Sequence, residues 1–307
     1  MSALVTIGIP CFNAERWLRA AIESALAQTW PACEVVVVDD GSTDRSVEIA
    51  REFGDRIGLQ HGDHRGAPHA RNLALNASRG EWLQFLDADD YLEPQKIAQQ
   101  FAEANAGADA DVIYSPVWIE ETKTNVRTMS VLAADADLFT QWLTWELPQT
   151  GGALWRKSAL DALGGWEDTQ PCCQEHELYL RALMAGLRFV HAPTAHAVYR
   201  IWSDDTLCRK DPRLVIRVKT ALIDELHAWM AARNLWTGAH RRVAGRACFE
   251  MARTLARHDL AEAVAYHRER ERHHFIHLEG PAAPLGYRLV YRTAGFAAAE
   301  KLAASRR

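Results

Sequence analysis

The run Glu34-Val35-Val36-Val37-Val38 constrains this chain more than any other stretch. Four β-branched residues in succession offer no polar face, so the run reads as a strand covered on both sides, as in a parallel sheet between helical layers. Helical spacing precedes it over residues 14–28, where Trp17, Leu18, Ile22 and Leu26 share a face. A second helix is expected over 44–53, with Gly41 turning the chain and Ser42 or Thr43 available as a cap. Strands are expected at 4–10, 56–61, 81–86 and 111–118, and helices at 66–77 and 94–106. This alternation implies an α/β fold with a mostly parallel, doubly wound sheet and right-handed crossovers. In such a sheet, ligands sit beyond the carboxyl ends of the strands.

Two acidic clusters fall at such ends. Asp39-Asp40-Gly41-Ser42-Thr43-Asp44 follows the valine run, and Asp87-Ala88-Asp89-Asp90 follows the strand at 81–86. A single acidic cluster is commonly turn and cap chemistry, but two on one sheet edge point to a ligand. Asp87 and Asp89, two residues apart, can face the same side and form a hard oxygen pair suited to Mg²⁺ or Mn²⁺. Phosphate oxygens would complete that shell, so a diphosphate leaving group is implied. Asp39 is placed to accept hydrogen bonds from a base or ribose. Arg71 is placed to contact phosphate or to hold Asp39. No G-x-G-x-x-G follows the first strand, and neither G-x-x-x-x-G-K-[ST], H-E-x-x-H nor G-x-S-x-G occurs. The usual dinucleotide fold, the P-loop, the zincins and the serine hydrolases are thereby disfavoured.

Beyond residue 120 the pattern loosens. Residues 122–165 are irregular and carry Trp142, Trp145 and Trp155, indoles able either to stack on sugars or to pack in a core. A helix is expected over 174–185, ending at Gly186, with short strands at 189–191 and 195–201. Helices are then expected at 211–232, 238–256, 259–275 and 285–303. The charge divides along the same line. The chain carries 35 Lys and Arg against 40 Asp and Glu, yet from Cys208 onward the count is 19 against 10. The acidic front argues against a nucleic-acid groove there. The basic tail suits solvated helix faces, an acidic partner or an anionic membrane surface. No apolar run reaches the roughly 18 residues of a membrane helix, and the first ten residues read as a strand rather than a signal peptide, so a cytoplasmic protein is expected. The six cysteines include no C-x-x-C pair, which suggests reduced thiols.

Four segments in order resemble one family. Ile9-Pro10-Cys11-Phe12-Asn13 is similar to the opening P-x-[FY]-N of the family 2 inverting glycosyltransferases. VVVVDDGSTDRS resembles their second-strand motif, and Gly66 through Ala70-Arg71-Asn72 resembles G-x-x-x-A-R-N. Gly80-Glu81-Trp82 through Asp87-Ala88-Asp89-Asp90 resembles their metal-binding signature. The resemblance covers about residues 4–205. It implies a GT-A fold, with a nucleotide-sugar and metal half over about 1–120, an acceptor half over about 121–207 and a helical appendage over 208–307. The implied donor contacts are Pro10, Phe12, Asn13, Asp39, Asp40, Arg71, Asp87, Ala88 and Arg200. Asp87 and Asp89 are the implied ligands of Mn²⁺ or Mg²⁺.

The family's catalytic carboxylate opens a helix in the pattern E-D-x-x-L-x-L-R. Aligning Leu178, Leu180 and Arg181 puts Glu175 at the Asp position and Gln174 at the Glu position. Glu177 and His176 are rivals, and helical geometry turns Glu177 about 200° from Glu175. Val198-Tyr199-Arg200-Ile201-Trp202-Ser203 resembles the family's Y-R-x-H-x-x-S region, with Trp202 near the usual His. The Q-x-x-R-W motif of processive synthases is absent, which implies one sugar per encounter. The resemblance implies an inverting, metal-dependent transferase that moves a sugar from a nucleoside diphosphate, UDP by family habit, to an acceptor hydroxyl in glycan or glycoconjugate biosynthesis. The alternatives are a non-catalytic nucleotide- or glycan-binding module and a sugar nucleotidyltransferase. The C-terminal helices, including the mixed segment 284–304, are candidates for acceptor, homo-oligomer or peripheral membrane contacts, the last at the inner face of a membrane.

Overall fold

The computed structural model describes residues 2–105, 109–132, 137–203 and 211–305. The chain forms two compact units, Met1–Asp135 with Glu146–Asp204, and Ala136–Trp145 with Asp205–Arg307. The boundary expected at 207/208, and Cys208 itself, lie outside the described residues.

The first unit is built on a seven-stranded sheet. Its strands are β1 (Val5–Cys11), β2 (Cys33–Asp39), β3 (Gly58–His61), β4 (Trp82–Phe85), β6 (Val112–Tyr114), β9 (Ala153–Arg156) and β10 (Phe189–His191). The order is β10-β6-β9-β4-β1-β2-β3. All neighbours are parallel except β9, which runs antiparallel to both β4 and β6. Every residue of β1 is buried, as is Val35–Val38 of β2. Each such side chain contributes about 1.5–3 kcal/mol of burial, which makes this pair the centre of the core. Helices α1 (Leu18–Leu26), α2 (Ser46–Arg51), α3 (Ala67–Ala77) and α4 (Lys96–Glu103) supply the crossovers. The chain moves outward from β1 through β2 to β3, then returns to place β4 on the other side of β1. In such a sheet that reversal marks the ligand-binding edge at the strands' carboxyl ends, and the two acidic clusters follow β2 and β4 on that edge.

A smaller sheet, β5-β11-β7-β8, joins Tyr91–Leu92, Ala197–Ile201, Val117–Glu121 and Val126–Met129. The single strand expected at 111–118 is two strands. Ser115-Pro116 divides them: Pro116 has no N–H to give a ladder, and the chain leaves one sheet for the other. The irregular stretch 122–165 also holds order that its sequence did not announce. It contains β8, β9, α5 (Leu138–Leu143), a 3₁₀ turn at Thr150–Gly152 and α6 (Lys157–Leu163). Helix α7 (Gln174–Met184) stands where a helix was expected. Trp155 is buried and stacks on Tyr179 at 5.5 Å, so it is a core residue.

The second unit is helical. It contains α5 together with α8 (Pro212–Ala231), α9 (Gly238–Leu255), α10 (Leu260–Arg272) and α11 (Leu285–Ala304). Trp142 is wholly buried there, and Phe139 packs on Trp229 at 5.8 Å. Phe249, Ile223, Leu226 and Met230 form the interior, where Arg253 meets the buried Glu300 at 2.6 Å. Helix α11 is kinked at Gly295, whose φ of 79° is left-handed. It buries Tyr287 and Phe296 but leaves Leu285 and Leu289 exposed. Among the described residues, no helix is long and apolar enough to cross a membrane.

Candidate active site

The first acidic loop is a braced turn with one acceptor left over. Asp39 ends β2 and is 4% exposed. Its Oδ2 accepts from the N–H groups of Gly41 and Ser42, both at 3.2 Å, while its Oδ1 is buried without a partner. A buried carboxylate oxygen left unpaired is costly, and a ligand N–H or O–H would satisfy it. Asn13, at φ 48°, accepts from the Thr43 N–H at 2.8 Å and donates its own N–H to Ser42 Oγ at 2.9 Å. Asn13 thus pins the loop. Pro10 is buried within β1 opposite Val38. Phe12 is 46% exposed, and its ring centroid lies 4.5 Å from that of His64, a small aromatic surface beside the loop. Asp40 is committed elsewhere in the fold: its two oxygens accept from the N–H groups of Arg65 at 3.1 Å and Gly66 at 2.6 Å. It fixes the turn into α3, where Gly66 needs its φ of 97°.

The second cluster is organised by Arg71, which is 4% exposed. Its Nη2 donates to Asp87 Oδ1 at 2.7 Å, its Nη1 to Gln174 Oε1 at 2.8 Å, and its guanidinium lies 4.5 Å from the Trp166 ring centroid. Burial opposes its charge, but Asp87, Glu175 and Asp89 together raise its pKa above the ordinary value. Asp87 pairs with this buried cation directly, and Glu175, distant in sequence, acts on it through its charge, as does Asp89. Ala88 is buried between the two aspartates. Asp89 Oδ2 accepts from Trp202 Nε1 at 2.8 Å. Burial, then the charge of Asp87, pushes the Asp89 carboxyl up. Asp90 is buried and pushed up further. It accepts the Arg200 N–H at 2.8 Å and so positions β11.

Asp87 Oδ2 and Asp89 Oδ1 accept no hydrogen bond from another side chain among the described residues. Two hard oxygens at a half-open edge fit a divalent ion whose other ligands come from a diphosphate and water. No group of three or more metal-ligating side chains occurs among the described residues. The Arg200 side chain is buried between Trp17, at 5.0 Å from its ring centroid, and Tyr91, at 4.5 Å. It also pairs with Glu120 at 3.8 Å, so it braces aromatic rings.

Helix α7 begins after Cys173, which takes left-handed φ 55°. Glu175 lies in its first turn and accepts a short hydrogen bond from Thr150 Oγ1. Thr150 belongs to a turn held from below: Gln84 Nε2 donates to the Gly151 carbonyl at 3.1 Å, and the buried Lys96 donates to Gln84 Oε1. Glu177 is occupied in another direction. It pairs with Arg181, which also grips the carbonyls of Leu163 and Gly165, each at 2.8 Å. His176 is half-buried beside it.

Some supporting residues carried no recognisable signal. Asp168 gathers Arg65 Nη2 at 3.0 Å, His69 Nδ1 at 3.1 Å and Asn72 Nδ2 at 2.8 Å. Asn72 also exchanges two 2.8 Å hydrogen bonds with the backbone of Trp166, the residue whose ring supports Arg71. Asn72→Ala is expected to lower stability by about 2 kcal/mol, read as a fall in thermal midpoint, because it strips the Trp166 backbone of both partners.

The glycosyl transferase family 2 model matches residues 6–164, more than half of the chain. The chain belongs to that family. An uncharacterized glycosyltransferase of Rickettsia typhi is 39% identical over 112 residues, 36% of this chain and 35% of the relative. Glycosyltransferase GlyA of Streptococcus pneumoniae is 40% identical over 92 residues, 29% of this chain and 13% of the relative. The chain thus spans about a third or less of the length of these relatives. Among solved structures, S. aureus TarS residues 1–349 with UDP-GlcNAc superposes with a TM-score of 0.62 at 14% identity, over 95% of this chain and 93% of that one. Mannosyltransferase PcManGT of Pyrobaculum calidifontis, with GDP-Man and Mn²⁺, gives 0.56 at 18% identity over 99% and 86%. These likenesses bear out the GT-A fold.

Proposed function

We propose that this protein is a metal-dependent, inverting glycosyltransferase that moves a sugar from a nucleoside diphosphate to an acceptor hydroxyl. The observation that carries the reading is the bridge from Asp87 through the buried Arg71 to Gln174, which sets the Asp87-Ala88-Asp89 segment beside the first turn of α7 that carries Glu175. Asp87 and Asp89 are the residues that would hold Mn²⁺ or Mg²⁺. Bound there, the ion would supply positive charge to the departing diphosphate. Glu175, steadied by Thr150, takes the proton from the acceptor hydroxyl as its oxygen bonds to the anomeric carbon. The bond to the diphosphate breaks in the same step, and its electron pair leaves with the phosphate. One displacement inverts the anomeric centre. Arg71 keeps the carboxylates from repelling one another.

Asp39 Oδ1 and the Phe12–His64 surface support a donor whose base offers an N–H, such as uracil. The solved relatives bind UDP-GlcNAc and GDP-Man, which supports a nucleotide-sugar donor of either kind. We assign residues 1–207 to the catalytic domain and 208–307 to an appendage. The exposed Leu285 and Leu289, near Arg292, support a peripheral contact through α11, with the protein on the cytoplasmic side. Transfer of one sugar per encounter fits the absence of a Q-x-x-R-W motif.

The test is a panel of nucleotide sugars incubated with purified protein and Mn²⁺, with released nucleoside diphosphate measured. One donor should be turned over, and EDTA should reduce the rate at least 100-fold. Release that survives EDTA would remove metal dependence. No release and no nucleotide binding would remove the assignment.

A further inference from the structure

Trp202 lies against the second carboxylate of the Asp87–Asp89 pair. Its Nε1 donates to Asp89 Oδ2 at 2.8 Å, and its ring is 37% exposed. Its ring centroid lies 6.1 Å from that of Trp17, tilted by 48°. Trp17 is in turn held by the buried Arg200 guanidinium. The indole therefore has a fixed aromatic neighbour on one side and a carboxylate on the other. An indole N–H is only a donor and has no lone pair to offer a metal. Its hydrogen, partly positive, points at Oδ2, the second oxygen of a carboxylate whose Oδ1 is open to a cation. A divalent ion held by both oxygens of Asp89 would have to share Oδ2 with this N–H, which weakens its hold on that oxygen.

We propose that Trp202 sets the cation affinity of this site by competing for Asp89 Oδ2. The inference rests on the reading that Asp87 and Asp89 hold a divalent ion. With the indole in place, the cation alone meets one free oxygen on each aspartate and binds weakly. Affinity rises when a diphosphate supplies further oxygens and the indole gives way. The cation then loads together with the donor rather than ahead of it.

The experiment titrates Mn²⁺ alone into the full-length protein, following free Mn²⁺ by electron paramagnetic resonance, with no nucleotide present. Trp202→Phe keeps an aromatic ring and deletes the N–H, and Trp202→Leu deletes both. Each should bind Mn²⁺ about ten- to a hundredfold more tightly than the natural protein, the scale of one hydrogen bond to a charged group. Asp89→Asn in the same background should abolish the gain, which locates the effect. Equal or weaker binding by both variants would overturn the proposal, as would absence of binding by every form. Donor turnover by the natural protein, measured separately, tests the transferase reading. Tighter Mn²⁺ binding without turnover would leave this inference standing while the transferase reading fell, and turnover with unchanged Mn²⁺ binding would do the reverse.

Discussion

Glu175→Gln should reduce sugar transfer by about 10²–10⁴-fold while leaving donor binding within twofold of the natural protein. The substitution conserves shape, and the side-chain carbonyl can still accept from Thr150 Oγ1, so the turn at Thr150–Gly152 is undisturbed. What it removes is the ability to take a proton. The effect should fall on kcat, because a general base acts in the transition state and does little for ground-state binding. Glu177→Gln makes the matching control. It breaks the pair with Arg181 on another face of α7 and should act on stability rather than on turnover. Steady-state kinetics on both variants, with donor affinity from calorimetry, separate the two carboxylates. A larger kcat loss at Glu177 would move the base two residues along the helix.

Asp89→Asn should lower kcat/KM by at least 100-fold and weaken Mn²⁺-dependent nucleotide binding with it. An amide oxygen remains to accept from Trp202 Nε1, so the local structure is kept while one negative charge is lost. Arg71 then loses the nearby negative charge of Asp89 but keeps its pair with Asp87. The loss should appear in both binding and turnover, unlike that of Glu175→Gln, because the leaving diphosphate is stabilised before and during bond breaking. Mn²⁺-dependent calorimetry with the nucleoside diphosphate product, alongside the kinetics, reads both parts. Full Mn²⁺-dependent affinity in this variant would place the cation elsewhere.

The parts of this protein legible in its sequence are those where one physical demand dominates. The run Val35–Val38 can hardly be anything but a strand buried on both faces, and the acidic loops after β2 and β4 follow from the sheet's carboxyl edge. The antiparallel β9 was not legible. Ala153–Arg156 is short, apolar and followed at once by α6, so nothing in its periodicity distinguishes a strand from a helix start. The break at Ser115-Pro116 was visible in principle, since proline seldom continues a central strand.

At the candidate site, residue type suggested which groups are suited to chemistry but not what each one faces. Asp40 and Arg200 match the family pattern as well as Asp39 and Arg71 do. Yet Asp40 clasps the Arg65–Gly66 backbone and Arg200 braces aromatic rings. What distinguishes Glu177 from Glu175 in the structure is its pair with Arg181, whose guanidinium reaches two loop carbonyls that no sequence spacing brings near. The support under Thr150, from Gln84 and the buried Lys96, is likewise a product of packing between distant strands and helices.

The measurement that tests the central claim most directly is the anomeric configuration of the first sugar formed. It is read by proton NMR within the first minutes of reaction, before free sugar equilibrates, with the donor identified by the release screen and Mn²⁺ present. A single displacement assisted by Glu175 predicts the configuration opposite to that of the donor, and its formation should be lost in Glu175→Gln. A product that keeps the donor's configuration, or an inverted product formed as fast by Glu175→Gln as by the natural protein, would contradict the account.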